Sequence, residues 1–192
     1  MICGGGFPES RECYTYKDNQ WILSMPLSEP KRSFAISKSP FLKEGYQLVI
    51  SGGCSNTSGV STIEVLTEEG WKTTLSHSPA SADHCMAQLN STTLVVTNTD
   101  KTYFLSSPNQ EWQLGPKLIY ARTGQSCARI LQNGSSQEFS VIVACGFHGI
   151  DNNKSPVEIL DSGANSWRLG PYLLRVSVFG NFDFVIVIVS LS

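Results

Sequence analysis

The stretch YQLVISGG at residues 46–53 is an apolar run that ends in a glycine doublet, and runs of this kind recur along the chain. The four runs end at Gly5-Gly6, Gly52-Gly53, Asn98-Thr99 and Cys145-Gly146, so their first members are separated by 47, 46 and 47 residues. A tryptophan follows the second member of each pair by 13 to 21 residues, at Trp21, Trp71, Trp112 and Trp167. A regular period of ~50 residues in strand-like sequence is typical of repeat architectures such as β-propellers.

Each full period contains four short segments rich in β-branched and aromatic residues, which we label strands A to D in chain order. In the second period they are FAISKSPF, YQLVISGG, STIEVLTEEG and WKTTLS, separated by turn-forming residues. Strand B is an uninterrupted apolar run, as in Leu94-Val95-Val96, which is expected of a strand that is buried on both faces. We therefore predict an all-β chain in which neighbouring sheets cover each strand B.

These residues resemble the kelch repeats, whose marks are a Gly-Gly doublet after a hydrophobic strand, a Tyr, and a Trp a few residues later. The doublets Gly5-Gly6 and Gly52-Gly53 match, as does the pair of Tyr16 and Trp21, and Tyr103 with Trp112 is a looser match. An arginine after strand D also matches, at Arg32, Arg122 and Arg175. The departures are Asn98-Thr99, Cys145-Gly146, and Leu66 and Leu160 at the Tyr position. The resemblance covers about residues 2–175.

The resemblance implies an incomplete kelch-type β-propeller of about four blades, in a family whose members commonly have six. The predicted units are a partial blade with strands B to D (1–30), a blade (31–78), a degenerate blade (79–119), a blade (120–173), and the start of a further blade or an aberrant tail (174–192). A propeller-completing segment is then missing from this chain. An unrelated β-sandwich is the main competing fold, and a WD-type propeller is disfavoured because no Trp is followed by Asp.

Composition and motifs disfavour several functional classes. The 14 Lys and Arg are spread thinly and the net charge is -2, so we expect no nucleic-acid partner. The apolar run at residues 184–189 is far shorter than the ~20 residues of a membrane helix, so we expect no membrane insertion. The three histidines lie in different periods, and no triad or phosphate-binding loop is present in a convincing context. We therefore expect a protein that is not an enzyme and has no cofactor or metal.

Antiparallel strands alternate in direction, so the B–C loops and the D-to-A connections should emerge at the same end of the molecule. Aromatic and arginine side chains there suit a protein-binding surface. The candidate partner-binding residues are Phe7, Arg11, Arg32, Asn56, His77, Tyr120, Arg122, Phe147, His148, Asp151, Tyr172 and Arg175. For the arginines, a structural role that ties a loop to a neighbouring blade is an open alternative. The expected repeat-structural residues are Gly5, Gly6, Gly52, Gly53, Gly146, Trp21, Trp71, Trp112 and Trp167, with the tryptophans in the core.

The six cysteines and four glycosylation sequons leave the compartment open between cytoplasm and secretion. Cys85 and Cys127 have the same strand-A position in successive periods, and we expect buried thiols there, whereas Cys3 and Cys13 could bridge strands B and C. The sequons begin at Asn56, Asn90, Asn133 and Asn153, and Pro156 makes the last one a poor acceptor.

The leading hypothesis is a non-catalytic kelch-repeat module that binds a protein through its loops, within a larger kelch-domain protein. The alternative is an extracellular glycosylated propeller that binds carbohydrate or matrix components. By resemblance, a second alternative is the substrate-recognition part of a cullin-RING ubiquitin ligase adaptor, or an actin-binding kelch protein.

Overall fold

The computed structural model describes residues 1–6, 8–41, 45–55, 58–80, 82–131, 139–146 and 154–174. These residues form antiparallel β-sheets, and no helix occurs among them. In the part of the chain so described, therefore, no helix is long and apolar enough to cross a membrane. The all-β prediction is confirmed.

Four antiparallel sheets follow one another along the chain. The first sheet has three strands: β1 (Ile2–Cys3), β2 (Cys13–Lys17) and β3 (Gln20–Ser24). The second has four: β4 (Ala35–Lys38), β5 (Leu48–Ser51), β8 (Thr62–Thr67) and β9 (Gly70–His77). The third has four: β10 (Cys85–Gln88), β11 (Leu94–Asn98), β12 (Lys101–Leu105) and β13 (Gln113–Leu114). The fourth has four: β14 (Ser126–Leu131), β15 (Phe139–Ala144), β17 (Glu158–Asp161) and β18 (Arg168–Leu169).

Within each sheet the strands pair in chain order, so each sheet is a meander in which every strand bonds to the one before it. Two short ribbons lie outside the sheets: β6 (Cys54–Ser55) pairs with β7 (Ser58–Gly59), and β16 (Lys154–Ser155) pairs with β19 (Leu173–Leu174). The second ribbon ties the segment after the fourth sheet to the loop before β17. The same tie recurs in the first and third sheets, where Leu27 N donates to Arg11 O and Leu118 N donates to Asp100 O, both at 2.8 Å.

Consecutive sheets pack face to face, and their strand B residues contribute to the cores on both sides. Val49 belongs to the core that the second sheet forms with Leu94 and Val96 of the third. Its neighbour Ile50 lies in the core with Cys13 and Leu27 on the side of the first sheet. Because successive side chains of a strand point to opposite faces, an unbroken apolar strand supplies both cores. Strand β5 is therefore buried on both faces, as predicted for strand B.

The tryptophans each face the preceding sheet, with one exception. Trp71 packs with Cys13 and Leu27, and Trp112 packs against the core between the second and third sheets. Trp167 lies with Val95 of the third sheet and with Leu118, which follows that sheet. Trp21 was expected in the core, but it is 53% exposed. It is carried by the first sheet, and no described sheet precedes that one. Its ring contacts Tyr16 across the β2–β3 pair, at 5.1 Å between centroids.

The first strands of three consecutive sheets lie side by side, β4 beside β10 and β10 beside β14. Just before these strands, Ser33, Asp83 and Gly124 share a left-handed backbone with φ of 54°, 55° and 67°. Asp83 N donates to Ser33 O at 3.3 Å, and Gly124 N donates to Asp83 O at 3.0 Å. The same backbone turn therefore repeats and links successive sheets in a chain of hydrogen bonds.

Two disulfide bonds occur in the described residues. Cys3–Cys13 joins directly paired residues of β1 and β2, as the sequence allowed. Cys85–Cys127 joins β10 to β14 across two sheets, so the expectation of buried free thiols there was wrong. Sequence position showed that the two cysteines are equivalent, but not that the first strands of adjacent sheets are neighbours in space. Cys54 and Cys145 are free thiols.

In the first sheet, the strand register identifies a different glycine doublet, one residue earlier than expected. Gly4 follows β1 directly and donates to Glu12 O at 2.8 Å, just as Gly52 follows β5 and donates to Thr62 O at 3.0 Å. Gly4 and Gly5 are therefore the counterparts of Gly52 and Gly53, so the expected doublet at Gly5-Gly6 was wrong by one residue. A Cβ on Gly4 would lie 2.5 Å from Lys31 O, and one on Gly53 would lie 2.8 Å from Arg32 O. Glycine is required at both positions because the same connection, at residues 25–34, passes over them this closely.

Candidate functional site

The connections between sheets and the B–C loops lie together at one end of the molecule, which we call the loop end. We call the connections linkers 1, 2 and 3, at residues 25–34, 78–84 and 115–125. Linker 1 bonds to a B–C loop through an antiparallel bridge between Arg32 and Cys54, and linker 3 does so through a bridge between Thr99 and Arg122. These bridges hold the linkers and the B–C loops side by side, so the side chains of both lie on one continuous surface.

Linker 3 is anchored by a buried ion pair. Arg122 Nη2 lies 2.6 Å from Glu158 Oε1, and both side chains are fully buried. Arg122 Nη1 also donates to the carbonyls of Cys145 and Pro156, at 3.2 and 2.9 Å. The Glu158 carboxylate accepts the backbone N–H of Ile119 at 2.5 Å and of Tyr120 at 3.2 Å. The charge of Glu158 is thus shared between one guanidinium and two amides, which is how a buried carboxylate is satisfied.

Linker 1 repeats this arrangement with a lysine. Lys31 Nζ lies 2.5 Å from Glu64 Oε1, again with both side chains fully buried. The other carboxylate oxygen of Glu64 accepts the backbone N–H of Ser28 at 2.8 Å. Ser28 precedes Lys31 by three residues, as Ile119 precedes Arg122. We call the two pairs, Lys31–Glu64 and Arg122–Glu158, the linker ion pairs.

The predicted equivalence of Arg32 and Arg122 was therefore off by one residue, because Lys31 is the counterpart of Arg122. Arg32 points elsewhere: its Nε lies 3.0 Å from Glu9 Oε1, in the loop between β1 and β2, and its side chain is 30% exposed. For these two arginines the structural alternative holds. Arg32 ties linker 1 to the first sheet, and Arg122 holds linker 3 onto the fourth sheet.

Four other candidate binding residues are accessible at the loop end. Arg11 is exposed just before β2, and His77 is exposed at the end of β9. Tyr120 is half-buried on linker 3, and Tyr172, on the segment after the fourth sheet, is 49% exposed. The neighbouring Tyr172 side chain is the main cause that raises the pKa of Tyr120. The structure thus brings Tyr120 and Tyr172 together beside the Arg122–Glu158 pair.

The remaining candidates cannot be placed in this arrangement. They lie outside the described residues: Phe7, Asn56, Phe147, His148, Asp151 and Arg175.

A buried chain of polar side chains lies where the second and third sheets meet. His84 Nε2 is 3.3 Å from Ser51 Oγ, and Ser51 Oγ is 2.7 Å from Ser78 Oγ, which in turn donates to Ala80 O at 2.5 Å. Burial lowers the pKa of His84 to about 4, although hydrogen bonds to the backbone of Ala82 and Ser51 and the charge of Asp83 act in the opposite direction. The imidazole is therefore neutral at pH 7. Ser51 is fully buried, so its hydroxyl is not accessible to a substrate. Its hydrogen bonds to His84 and Ser78 give it a structural role.

Sequence reasoning missed Lys31, Glu64 and Glu158. The signal was present, because Ile63-Glu64-Val65 and Val157-Glu158-Ile159 place a carboxylate at the same point of an otherwise apolar strand C. A charge recurring between β-branched residues in a covered strand indicates a buried partner. In the third sheet Tyr103 has this place, since it pairs with Leu114 as Glu158 pairs with Leu169.

Among the described residues no cluster of His, Cys, Asp and Glu side chains could hold a metal ion. No protein-family model matches the chain, and no curated protein is similar to it.

Proposed function

We propose that this chain forms consecutive blades of a kelch-type β-propeller and acts as a non-catalytic module that binds a protein through the loop end. The observation that carries the proposal is the contrast within linker 3. Its backbone is fixed by the buried Arg122–Glu158 pair, while Tyr120 on the same linker is half-buried and its neighbour Tyr172 is 49% exposed. Rigid backbone that presents aromatic side chains is what tight protein recognition requires, because little conformational entropy is then lost on binding.

The meander sheets support the propeller part of the proposal. Each is built in chain order, the second, third and fourth each contribute a Trp toward the preceding sheet, and the first strands of three sheets are neighbours. A radial arrangement of such sheets around the first strands is the geometry of a propeller.

The exposed side of the first sheet fits a further sheet of the same kind. Tyr16, Trp21 and Leu23 are each more than half exposed on β2 and β3. The counterparts of Tyr16 and Trp21 in the second sheet are Leu66 and Trp71, which pair in the same register. Trp71 packs on the first sheet, so we propose that Trp21 packs on a propeller-completing sheet that precedes the first one.

The binding proposal is tested by comparing loop-end variants with variants at the opposite end. The Tyr120→Ala/Tyr172→Ala double variant removes the accessible aromatic pair, and Glu68→Ala/Asn109→Ala changes exposed C–D turns at the other end. Proteins cross-linked to the intact chain in cells are quantified by mass spectrometry for each variant. We expect the tyrosine variant to lose at least one partner that the control retains. Identical partner sets for both variants would contradict the proposal.

A second candidate function is favoured by one observation. Cys85–Cys127 and Cys3–Cys13 are disulfides, and disulfides persist in oxidising compartments such as the cell exterior. An extracellular propeller that binds carbohydrate or matrix components is the corresponding proposal. Binding of the wild-type chain to a glycan and matrix-protein array, lost in the Tyr120→Ala/Tyr172→Ala variant, would favour it over the protein-binding proposal.

A further inference from the structure

The A–B turn of the third sheet carries a sequon, Asn90-Ser91-Thr92, in which the asparagine closes a local turn. Asn90 Oδ1 accepts the backbone N–H of Thr92 at 2.9 Å and the Thr92 hydroxyl at 3.0 Å. The turn is completed by Leu89 N, which donates to Thr93 O at 2.9 Å. Both side-chain hydrogen bonds of Asn90 therefore use its oxygen, and its amide nitrogen takes no part in holding the turn.

The turn that carries this sequon lies at the surface. Ser91 and Thr92 are exposed, and Asn90 itself is half-buried at the tip of the β10–β11 hairpin. A glycan can be carried only where it projects into solvent without displacing packed side chains or breaking hydrogen bonds. Substitution at the nitrogen of Asn90 keeps the two bonds to Oδ1, and the exposed neighbours Ser91 and Thr92 place the turn at the surface.

A second observation concerns the compartment. N-linked glycans are added in the secretory pathway, which is also where disulfides form. The Cys85–Cys127 disulfide begins at Cys85 on β10, the strand that leads into the Asn90 turn. The disulfide and the sequon are thus two independent indications of the secretory pathway.

We propose that Asn90 is a site of N-linked glycosylation. The co-reactant is an oligosaccharide linked to a lipid pyrophosphate. The bond between the sugar C1 and the pyrophosphate oxygen breaks, a bond from C1 to Asn90 Nδ2 forms, the nitrogen gives up one proton, and the lipid pyrophosphate leaves. No atom changes its oxidation state overall.

The position of the glycan agrees with binding at the loop end. The A–B turns emerge at the end of the sheets opposite the linkers, since β10 runs from linker 2 to Asn90. A glycan at Asn90 therefore leaves Tyr120 and Tyr172 uncovered. The inference shares its compartment with the extracellular candidate function, but it does not depend on which ligand is bound.

The test uses the full chain secreted from animal cells behind a signal sequence, with glycan occupancy at Asn90 read by peptide mass spectrometry before and after treatment with peptide-N-glycosidase. Wild type and Ser91→Ala, which keeps the sequon, should both be occupied. Asn90→Gln and Thr92→Ala should lose this glycan, and Thr92→Ser should restore it. An unmodified Asn90 peptide in the wild type overturns the proposal, whatever the state of the other sequons. Since occupancy and ligand binding are measured separately, loss of one does not imply failure of the other.

Discussion

Arg122 Nη2 lies 2.6 Å from Glu158 Oε1 with both side chains fully buried, so the chain carries an ion pair that has no contact with water. Removing one partner of such a pair leaves an unpaired buried charge, which costs about 3–5 kcal/mol. We expect Glu158→Gln and Arg122→Met each to lower the free energy of unfolding by about this amount, measured by urea denaturation. The apolar double variant Arg122→Met/Glu158→Leu should recover much of the loss.

The matched control is an ion pair at the surface. Lys117 Nζ lies 3.0 Å from Asp100 Oδ2, with the lysine side chain 74% exposed. Lys117→Ala should change the free energy of unfolding by less than about 1 kcal/mol. Equal losses for Lys117→Ala and Arg122→Met would show that the burial assigned to the linker ion pair is wrong.

Trp21 and Trp167 have the same place in the repeat but different surroundings. Trp167 is 5% exposed and donates from Nε1 to Thr102 Oγ1 at 3.0 Å, whereas Trp21 is 53% exposed. Truncating a buried aromatic leaves a cavity, so Trp167→Ala should cost about 3–5 kcal/mol. In the same thermal or urea unfolding experiment Trp21→Ala should cost much less. A large loss for Trp21→Ala would mean that the described chain already covers that face.

His84 gives the fold a pH dependence with a definite sign. Its pKa falls from 6.5 to about 4 because burial disfavours the charged imidazole. The unfolded chain then binds the proton more readily, so stability is full above pH 6.5, declines as the pH falls toward 4, and levels off below. The loss from this group is of order 3 kcal/mol.

Two substitutions separate the contribution of His84 to the pH dependence of stability from the contributions of the other titrating groups. His84→Gln places there the residue found at the equivalent position of linker 3, Gln125, and should flatten the decline between pH 6.5 and 4. His77→Gln, at an exposed site, is the matched control variant. An unaltered pH profile of stability in His84→Gln would refute the assignment.

The cysteines should fall into two classes under non-reducing conditions. Cys85 and Cys127 should appear as one linked peptide pair, and so should Cys3 and Cys13. Cys145 is buried, which raises the pKa of its thiol despite the nearby Arg122, so alkylation should be slow until the chain unfolds. Cys54, which is half-buried, should react faster. Mass spectrometry after alkylation and digestion measures all of these, and a peptide joining Cys54 to Cys145 would contradict the assignment.

How far the sequence predicts this structure depends on whether a feature is local. The apolar run at Leu94-Val95-Val96 has a strand pattern that its own residues determine, and it is a strand. The partnership of Lys31 with Glu64 spans two elements, and the strongest local signal, the recurring arginine, pointed to its neighbour Arg32. The exposure of Trp21 was missed for a similar reason, because burial of a repeat residue depends on a neighbouring sheet.

The central claim is that successive meander sheets pack face to face, and that the second, third and fourth sheets each place a tryptophan against the sheet before. The most direct measurement is the set of nuclear Overhauser contacts of the Trp167 indole N–H proton, whose nitrogen lies 3.0 Å from Thr102 Oγ1 and 3.2 Å from Pro116 O. We predict strong contacts to Thr102 and Pro116 of the third sheet and linker 3. Contacts confined to residues of the fourth sheet, or free exchange of this proton with solvent, would contradict the account.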